Sequence, residues 1–474
     1  MNRNKILAGA VSLALLGMSF NAAADATEDL VNALVTKGVL TEDEGSLLSK
    51  GNTSQKKNEG KVRFKDGFKL ESADGNSSLA INGRVQLDYR TFDTDSGSSA
   101  NSGNADTFDI RRAYLGAGGT FNKYYDWKLV ANFAEAKNSL FLDEAFVNIK
   151  WFEKANIQAG QFKMPISLEE RTSSRFTNFT ERSFNNNGAL VAGKDQGLML
   201  HGPITKGLNY ALALSSGNGL NTDDANDVGD SDSLEYIGHV DMNLIDLTGS
   251  KADAVVHLGG SYAYTDLNVM QTDIAKITQK TLGRGSTFFT SAATAGTLVV
   301  TDTMDRTRYN LEAALTNGPF KFQSEYSKAE IDITDASSST SSSQDINAFY
   351  ADISWLVTGE SYKDSYKKGK FDRIKPKQNF NPDDFTGGAW ELALGYAKFD
   401  ASDITSSSNG LKLSSSSFTN EADTVRAGIK FIADPNTRIM FNVVKTNYED
   451  DVTLGTSSIE SGELAANMRV QYDF

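Results

Sequence analysis

Cysteine is absent from the 474 residues, and His (3) and Pro (6) are scarce. Without Cys there are no disulfide frameworks, no thiolate metal sites and no Cys nucleophiles. An excess of cations is missing too: 47 Lys+Arg stand against 61 Asp+Glu, a formal net charge of −14. That argues against a nucleic-acid partner, because neutralising phosphates needs a basic surface. Beyond the first 24 residues there is no uncharged apolar run of about 18 residues, so transmembrane helices are excluded. The apolar residues, 39% of the chain, stand singly rather than in blocks, which does not suit an all-α or α/β core. Glycine (40) and aromatics (27 Phe, 16 Tyr, 4 Trp) are plentiful.

Residues 1–24 read as a secretory signal peptide. Arg3 and Lys5 open it, Ile6 to Phe20 form the apolar stretch, and Ala22-Ala23-Ala24 supply a small-residue cleavage site. The apolar stretch is too short for a membrane anchor, which needs about 20 residues. Its removal takes two cations and no acids, moving the formal charge from −14 to −16, and an exported protein is expected. Residues 25–60 read as a periplasmic helical segment and linker. Leu30, Val31 and Leu34 share a helical face, Gly38 ends it, and Thr41-Glu42-Asp43-Glu44 has capping-box spacing before Leu47 and Leu48.

From Ser78 onward the texture is uniform. Leu79, Ile81, Val85, Leu87 and Tyr89 alternate with Asn82, Arg84, Gln86, Asp88 and Arg90; Val425, Ala427, Ile429 and Phe431 alternate with Arg426, Gly428 and Lys430. Apolar residues on every second position mark strands. Segments start near 78, 107, 124, 141, 154, 195, 206, 234, 253, 305, 320, 345, 388, 422, 436 and 462. That is an even count, as single-chain bacterial barrels require. Short turns such as Asn122-Lys123 and Asn317-Gly318-Pro319 occur at alternate junctions, with long Ser/Gly/Asp-rich stretches between them. Strands of roughly 10–13 residues match a tilted span of the hydrocarbon layer, whereas soluble sandwiches use about 5–6. The expected fold is all-β: a 16-stranded antiparallel transmembrane β-barrel over 61–474, preceded by the short helical segment. A barrel of this size should leave an aqueous lumen rather than a packed core. Two pieces do not fit: residues 62–72 read as a plug or extra hairpin arm, and the connection 358–387 is long although parity places it on the periplasmic side.

The chain stops at a strand whose apolar positions end in Met468, Val470, Tyr472 and Phe474. This resembles the last strand of bacterial outer-membrane barrels, which implies that Tyr472 and Phe474 form the signal read by the barrel-assembly machinery. Phe108-Asp109-Ile110-Arg111-Arg112-Ala113-Tyr114-Leu115-Gly116 and the run from Ala159 to Glu170 (AGQFKMPISLEE) carry a more specific likeness. Phe179-Thr180-Glu181-Arg182-Ser183, Asp195-Gln196-Gly197, Leu356 to Glu360 and Gly387 to Leu392 add to it. Together they resemble the phosphate-selective porin O/P family. The resemblance implies a homotrimeric sixteen-stranded porin in the Gram-negative outer membrane, among membrane lipid and lipopolysaccharide, with an inward-folded third loop and Arg and Lys side chains that pass phosphate-like anions. The segment count independently makes residues 164–194 the third outer loop, hence the expected constriction loop.

Anion selection needs positive charge in a narrow passage, and Arg offers two-pronged donation to phosphate oxygens. Alternation assigns Arg84, Arg90, Lys128, Arg308, Arg426, Lys430 and Arg469 to the lumen; the loop region adds Lys163, Arg171, Arg175 and Arg182. The resemblance carries Arg84, Arg111, Arg112 and Tyr114 onto the family's selectivity region. Arg111 and Arg112 are neighbours, so an undisturbed strand turns one of them to lipid, at about 2–4 kcal/mol at mid-depth. A bulge, a rim position or a subunit contact is therefore expected, with Arg112 and Tyr114 on one face and Arg111 preferred on the other. Acids nearby (Asp88, Glu169, Glu170, Glu181) support a plainer reading in which mixed charges merely keep the lumen wet. The cluster Lys363, Lys367, Lys368, Lys370, Arg373, Lys375 and Lys377 reads as a solvated basic turn or as a collector folded into the pore. His201, His239 and His257 lie on different strands without metal spacing, so no metal site is expected; no catalytic set and no cofactor are expected either. The expected function is an outer-membrane porin for passive diffusion of small hydrophilic solutes, anions such as phosphate foremost. The alternatives are a general porin without charge preference and a barrel-scaffold surface adhesin or receptor.

Overall fold

Alternation of polar and apolar residues becomes sixteen long strands. The computed structural model describes residues 31, 33–44, 46, 60–63, 68–94, 106–134, 141–217, 234–268, 277–293, 303–335, 340–454 and 458–474. The expected signal peptide and most of the linker lie outside these residues. The barrel strands are β1 (Ser78–Thr94), β2 (Thr107–Phe121), β3 (Tyr125–Asn132), β4 (Phe141–Phe152), β5 (Ala155–Lys163), β6 (Lys194–Thr205), β7 (Leu208–Ser215) and β8 (Glu235–Asn243). They continue with β9 (Ala254–Asn268), β10 (Thr303–Asn317), β11 (Phe320–Asp335), β12 (Thr340–Leu356), β13 (Ala389–Asp400), β14 (Glu421–Ile432), β15 (Thr437–Leu454) and β16 (Ser458–Asp473). Each starts within five residues of its expected position. Neighbours in sequence are neighbours in the sheet, and β16 pairs antiparallel with β1, from Glu463↔Thr94 to Asp473↔Arg84, which closes the barrel. At that seam the amide of Gly83 donates to the Phe474 carbonyl (3.0 Å) and the Phe474 amide donates back (3.1 Å). A Cβ at position 83 would stand 2.4 Å from the Phe474 ring, so a larger residue there would push the terminal ring aside.

Contacts divide the chain into two units, residues 1–64 with 69–79 and residues 65–68 with 80–474. Within the first unit the capping box forms as expected. The Glu44 amide donates to Thr41 Oγ1 (3.2 Å), and Glu44 Oε2 accepts from the Thr41 amide (2.9 Å). Gly38 takes φ +69 at the end of the preceding helical turn. Within the stretch expected as a plug or extra hairpin arm, Lys61–Arg63 pair antiparallel with residues 69–71.

The outer face of the barrel is apolar, with aromatic residues toward both ends. Phe121, Trp151, Phe320, Trp355, Trp390 and Tyr472 lie exposed near the short turns, and Phe108, Tyr236, Tyr262, Tyr309 and Tyr396 toward the long loops. Such girdles mark the two membrane interfaces. β11 shows where the wall leaves the membrane. Its outward residues run Phe322, Ser324, Tyr326 and then Lys328, Glu330, Asp332, while its inward residues run Lys321, Gln323, Glu325, Ser327 and then Ala329, Ile331, Ile333. The pattern inverts because above the lipid the outside is water and the inside is packed.

That packing corrects the expectation of a lumen without a core. Segments Thr278–Lys280, Thr287–Ala293 and Leu411–Leu413, read from sequence as loop, form a small sheet at the long-loop end. Phe288 packs edge-on against Phe184 (5.7 Å between ring centroids) and Phe399 (5.7 Å), in one cluster with Ile331, Ile333, Ile346, Leu411 and Val444. A loop that carries large apolar side chains into the bore must bury them, and the wall opposite supplies matching residues.

Candidate functional site

The long connection between β5 and β6 enters the bore; Lys194 is already in β6, so the loop spans 164–193. Gly160 lets β5 lie close to β4: it has φ +124, and a Cβ there would meet the Ala145 carbonyl oxygen at 2.2 Å. Ser167 starts a four-residue helix, Leu168–Arg171, its Oγ accepting from the Glu170 amide (3.1 Å). Glu325 on β11 reaches in to accept from the amides of Leu168 (3.0 Å) and Glu169 (2.7 Å). Glu169 ties the loop to itself by accepting from Ser183 Oγ (2.6 Å).

Cations of the wall hold the loop's other end. Lys430 donates to the Thr177 carbonyl (2.9 Å), Arg438 to that of Arg175 (2.7 Å), and Arg469 to that of Thr180. Arg426 lies over the Phe179 ring, 4.3 Å from its centroid. Each of these cations also meets a buried carboxylate: Lys430 with Glu391 (2.6 Å), Arg426 with Asp352 (3.0 Å), Arg469 with Asp88 (2.6 Å) and Glu181 (2.8 Å), and Arg438 with Asp473 (4.0 Å). Burial opposes ionisation of Glu181 in the loop, yet Arg111 and Arg469 beside it hold its carboxyl well below the usual range.

The connection 357–388 also folds inward. Tyr362 and Phe371 are buried, the Tyr362 hydroxyl donates to Glu391 (2.7 Å), and Arg373 pairs with Asp473. This corrects the solvated-turn reading: part of the basic segment lines the bore, while Lys367, Lys368, Lys370, Lys375 and Lys377 remain open to solvent.

Between loop, turn and wall lies a cavity of about 330 Å³. Nine cations line it: Arg84, Arg112, Lys128, Lys163, Arg171, Arg175, Arg182, Lys194 and Lys370, against four carboxylates, Asp143, Glu144, Glu170 and Asp372. Most of the cations are paired. Lys128 meets Glu144; Lys163 and Arg182 share Glu170 (3.2 and 3.0 Å); Lys194 meets Asp143 (2.5 Å); Arg175 meets Asp473 (3.4 Å); Arg171 meets Asp241 (3.2 Å) and Glu312 (2.5 Å). Among the described residues Arg84, Arg112 and Lys370 have no carboxylate partner. Arg84 donates to Ser174 Oγ (2.8 Å) and lies 4.2 Å from the Tyr114 ring centroid, with its Nε buried and unpartnered. Arg112 donates only to Gln86 Oε1 (2.9 Å). Unpartnered guanidinium N–H groups beside an aromatic hydroxyl suit an oxyanion.

Of the expected pathway residues, Arg84, Arg112, Tyr114, Lys128, Lys163, Arg171, Arg175 and Arg182 all line this cavity. Arg111 does not, and its preferred outward facing is corrected: it too points inward, to Glu181 (2.9 Å). Outward residues of β2 are Phe108 and Ile110, then Leu115, so the alternation changes phase between them. One extra residue in the strand turns both arginines away from lipid. Lys194 was not singled out; with Asp195 it follows the loop, and only register shows that it points at the bore. Tyr472 is exposed on the outer face and Phe474 sits at the seam. His239 and His257 do come together, both facing Glu312 (3.7 and 3.1 Å), because β8 and β9 pair in a register that their sequence spacing does not reveal. Among the described residues no group of His, Asp and Glu is suited to a metal ion.

Comparison with known proteins concurs with this geometry. Residues 79–474 match the family described as phosphate-selective porin O and P. Porin O of Pseudomonas aeruginosa is 29% identical over 367 residues, 72% of this chain and 77% of that protein. Among solved structures, an anion-selective porin from Comamonas acidovorans superposes with a TM-score of 0.52 at 13% identity, over 84% of this chain and all of that one. OmpT, an outer-membrane protein of Vibrio cholerae, gives 0.50 at 10% identity, over 84% and 98%. At such identities these two likenesses concern the fold alone. With a closed sixteen-strand barrel, two aromatic girdles and a family match over most of its length, the chain belongs to the phosphate-selective porin O and P family and is an outer-membrane porin.

Proposed function

We propose that the chain provides a passive passage for small anions, with phosphate-like oxyanions favoured over chloride. The observation that carries this reading is that, of the nine cations lining the cavity, six are paired with carboxylates while Arg84, Arg112 and Lys370 have no carboxylate partner among the described residues. A permeating anion there would meet positive charge that no paired carboxylate neutralises, and several such cations in series allow it to leave again. The loop 164–193 acts as the constriction, residues 1–24 direct export, and Tyr472 with Phe474 present the seam to the assembly machinery. Membrane lipid and lipopolysaccharide surround the barrel, and three copies assemble as a trimer. Relatives in this family are channels rather than enzymes, and no cofactor, metal or energy source enters this reading.

Chloride conductance across a planar bilayer, with phosphate as competitor, tests it. Phosphate should block the wild-type current, and the double variant Arg84→Ala/Arg112→Ala should need roughly tenfold more phosphate, the effect of about 1.4 kcal/mol. Unchanged block would remove these arginines from selectivity, and block by neither protein would leave a porin without charge preference. Absence of any current would favour an adhesin on a barrel scaffold.

A further inference from the structure

We propose that His239 on β8 and His257 on β9 form a proton-sensitive seat that holds the loop 164–193 and the turn 357–388 against the barrel wall, so that mild acid alters the pore. Both histidines are buried. What makes the arrangement unusual is shared acceptors. His239 Nε2 and Arg171 Nη1 approach the same oxygen, Asp241 Oδ2, at 3.1 and 3.2 Å. His257 Nε2 and Arg171 Nη2 approach Glu312 Oε1 at 3.1 and 2.5 Å. Arg171 belongs to the loop and lines the cavity. The turn joins through Tyr366, whose hydroxyl lies 2.7 Å from His257 Nδ1.

The remaining groups facing the seat fix its charge. Glu325 on β11 is occupied by the amides of Leu168 and Glu169 and by the Tyr350 hydroxyl (2.7 Å). Glu169 points to Ser183. β7 supplies the neutral Asn209, donating to Asp241 Oδ1 (2.8 Å). From the turn, Gly369 packs so closely that a Cβ would meet Asp241 Oδ1 at 2.3 Å, and Lys370 follows it with no carboxylate partner among the described residues. The third histidine, His201, lies apart with Asn148 (3.0 Å).

With Nε2 turned to carboxylates, the neutral rings carry their proton there, and Nδ1 accepts, from Tyr366 in His257 and, in His239, from Ser261 Oγ (2.8 Å), whose alternative acceptor is the Pro165 carbonyl of the loop (3.3 Å). Asp241, Glu312 and Arg171 then sum to one negative charge. Uptake of a solvent proton by each Nδ1 makes that sum one positive charge. It places imidazolium beside guanidinium on the same two oxygens and reverses the hydrogen bond to Tyr366, whose oxygen must then accept from Nδ1. The loop is loosened through Arg171, and the turn must re-orient the Tyr366 hydroxyl; both border the cavity.

The test is chloride conductance of the reconstituted full chain from about pH 7.5 to about pH 5.5. Wild type should change at least roughly twofold, the variant His239→Gln/His257→Gln should be flat, and His201→Gln should respond like wild type. A flat wild-type profile, or an unchanged response in the double variant, overturns the proposal. Heat-modifiable migration on gels checks that the variant barrel closes. If it does not, the single variants His239→Gln and His257→Gln should each show a smaller response than wild type, and a wild-type response from both overturns the proposal equally. The readout rests on the channel reading: wild type with no current at any pH would remove that reading and this one together.

Discussion

The two sides of the bore carry similar numbers of inward cations and use them differently. On β13 to β16 each one is bound: Lys430, Arg426, Arg438 and Arg469 sit between a buried carboxylate and a carbonyl or aromatic ring of the loop. On β1 and β2, Arg84 and Arg112 meet only neutral groups, Ser174, Gln86 and the Tyr114 ring. An inward-facing arginine is therefore not in itself a pathway arginine. What separates the two kinds is whether a carboxylate already neutralises the charge, since a compensated cation offers little net field to a passing anion.

That contrast can be broken from the anchoring side first. Asp352→Ala would leave the Arg426 guanidinium buried and uncompensated, a loss of about 3–5 kcal/mol. The expected result is a lower temperature for the heat-induced mobility shift of the folded barrel, and an unchanged transition would contradict the anchoring role. Single replacements on the other side should do the reverse. Arg84→Ala or Arg112→Ala should keep the wild-type transition and weaken phosphate block several-fold, by about 1 kcal/mol each. Lys370→Ala should weaken it less, about twofold to threefold, because an ammonium open to solvent is screened. The finest test concerns Lys128. Its removal should change block by less than about twofold because Glu144 already compensates it, whereas Glu144→Gln should free Lys128 and strengthen block.

Much of this was legible in the sequence. Period-two alternation located all sixteen strands because lipid outside and water inside impose opposite demands on successive residues. The signal weakened where the media changed: in β11 the pattern inverts at Lys328, and inward Ile331 and Ile333 serve a packed cluster rather than a wet wall. Sequence placed eight of the nine expected pathway residues on one cavity, since loop position and strand parity together fix them. It could not say which are neutralised, because pairs such as Lys194 with Asp143 and Arg175 with Asp473 join residues far apart in the chain. Nor could it orient Arg111, since a single extra residue in β2 resets the parity. The basic turn stayed between two readings for a related reason: its solvated look came from Lys367 and Lys368, while Tyr362 and Phe371, which anchor it in the bore, are too few to make a period.

The central claim is that uncompensated cations on one wall set the charge preference. The most direct measurement is the zero-current potential in a potassium chloride gradient, wild type beside Arg84→Ala/Arg112→Ala. The wild-type potential should take the sign of chloride permeation, and that of the variant should move toward zero. A potassium-signed potential in wild type, or identical potentials in the two proteins, would contradict the account.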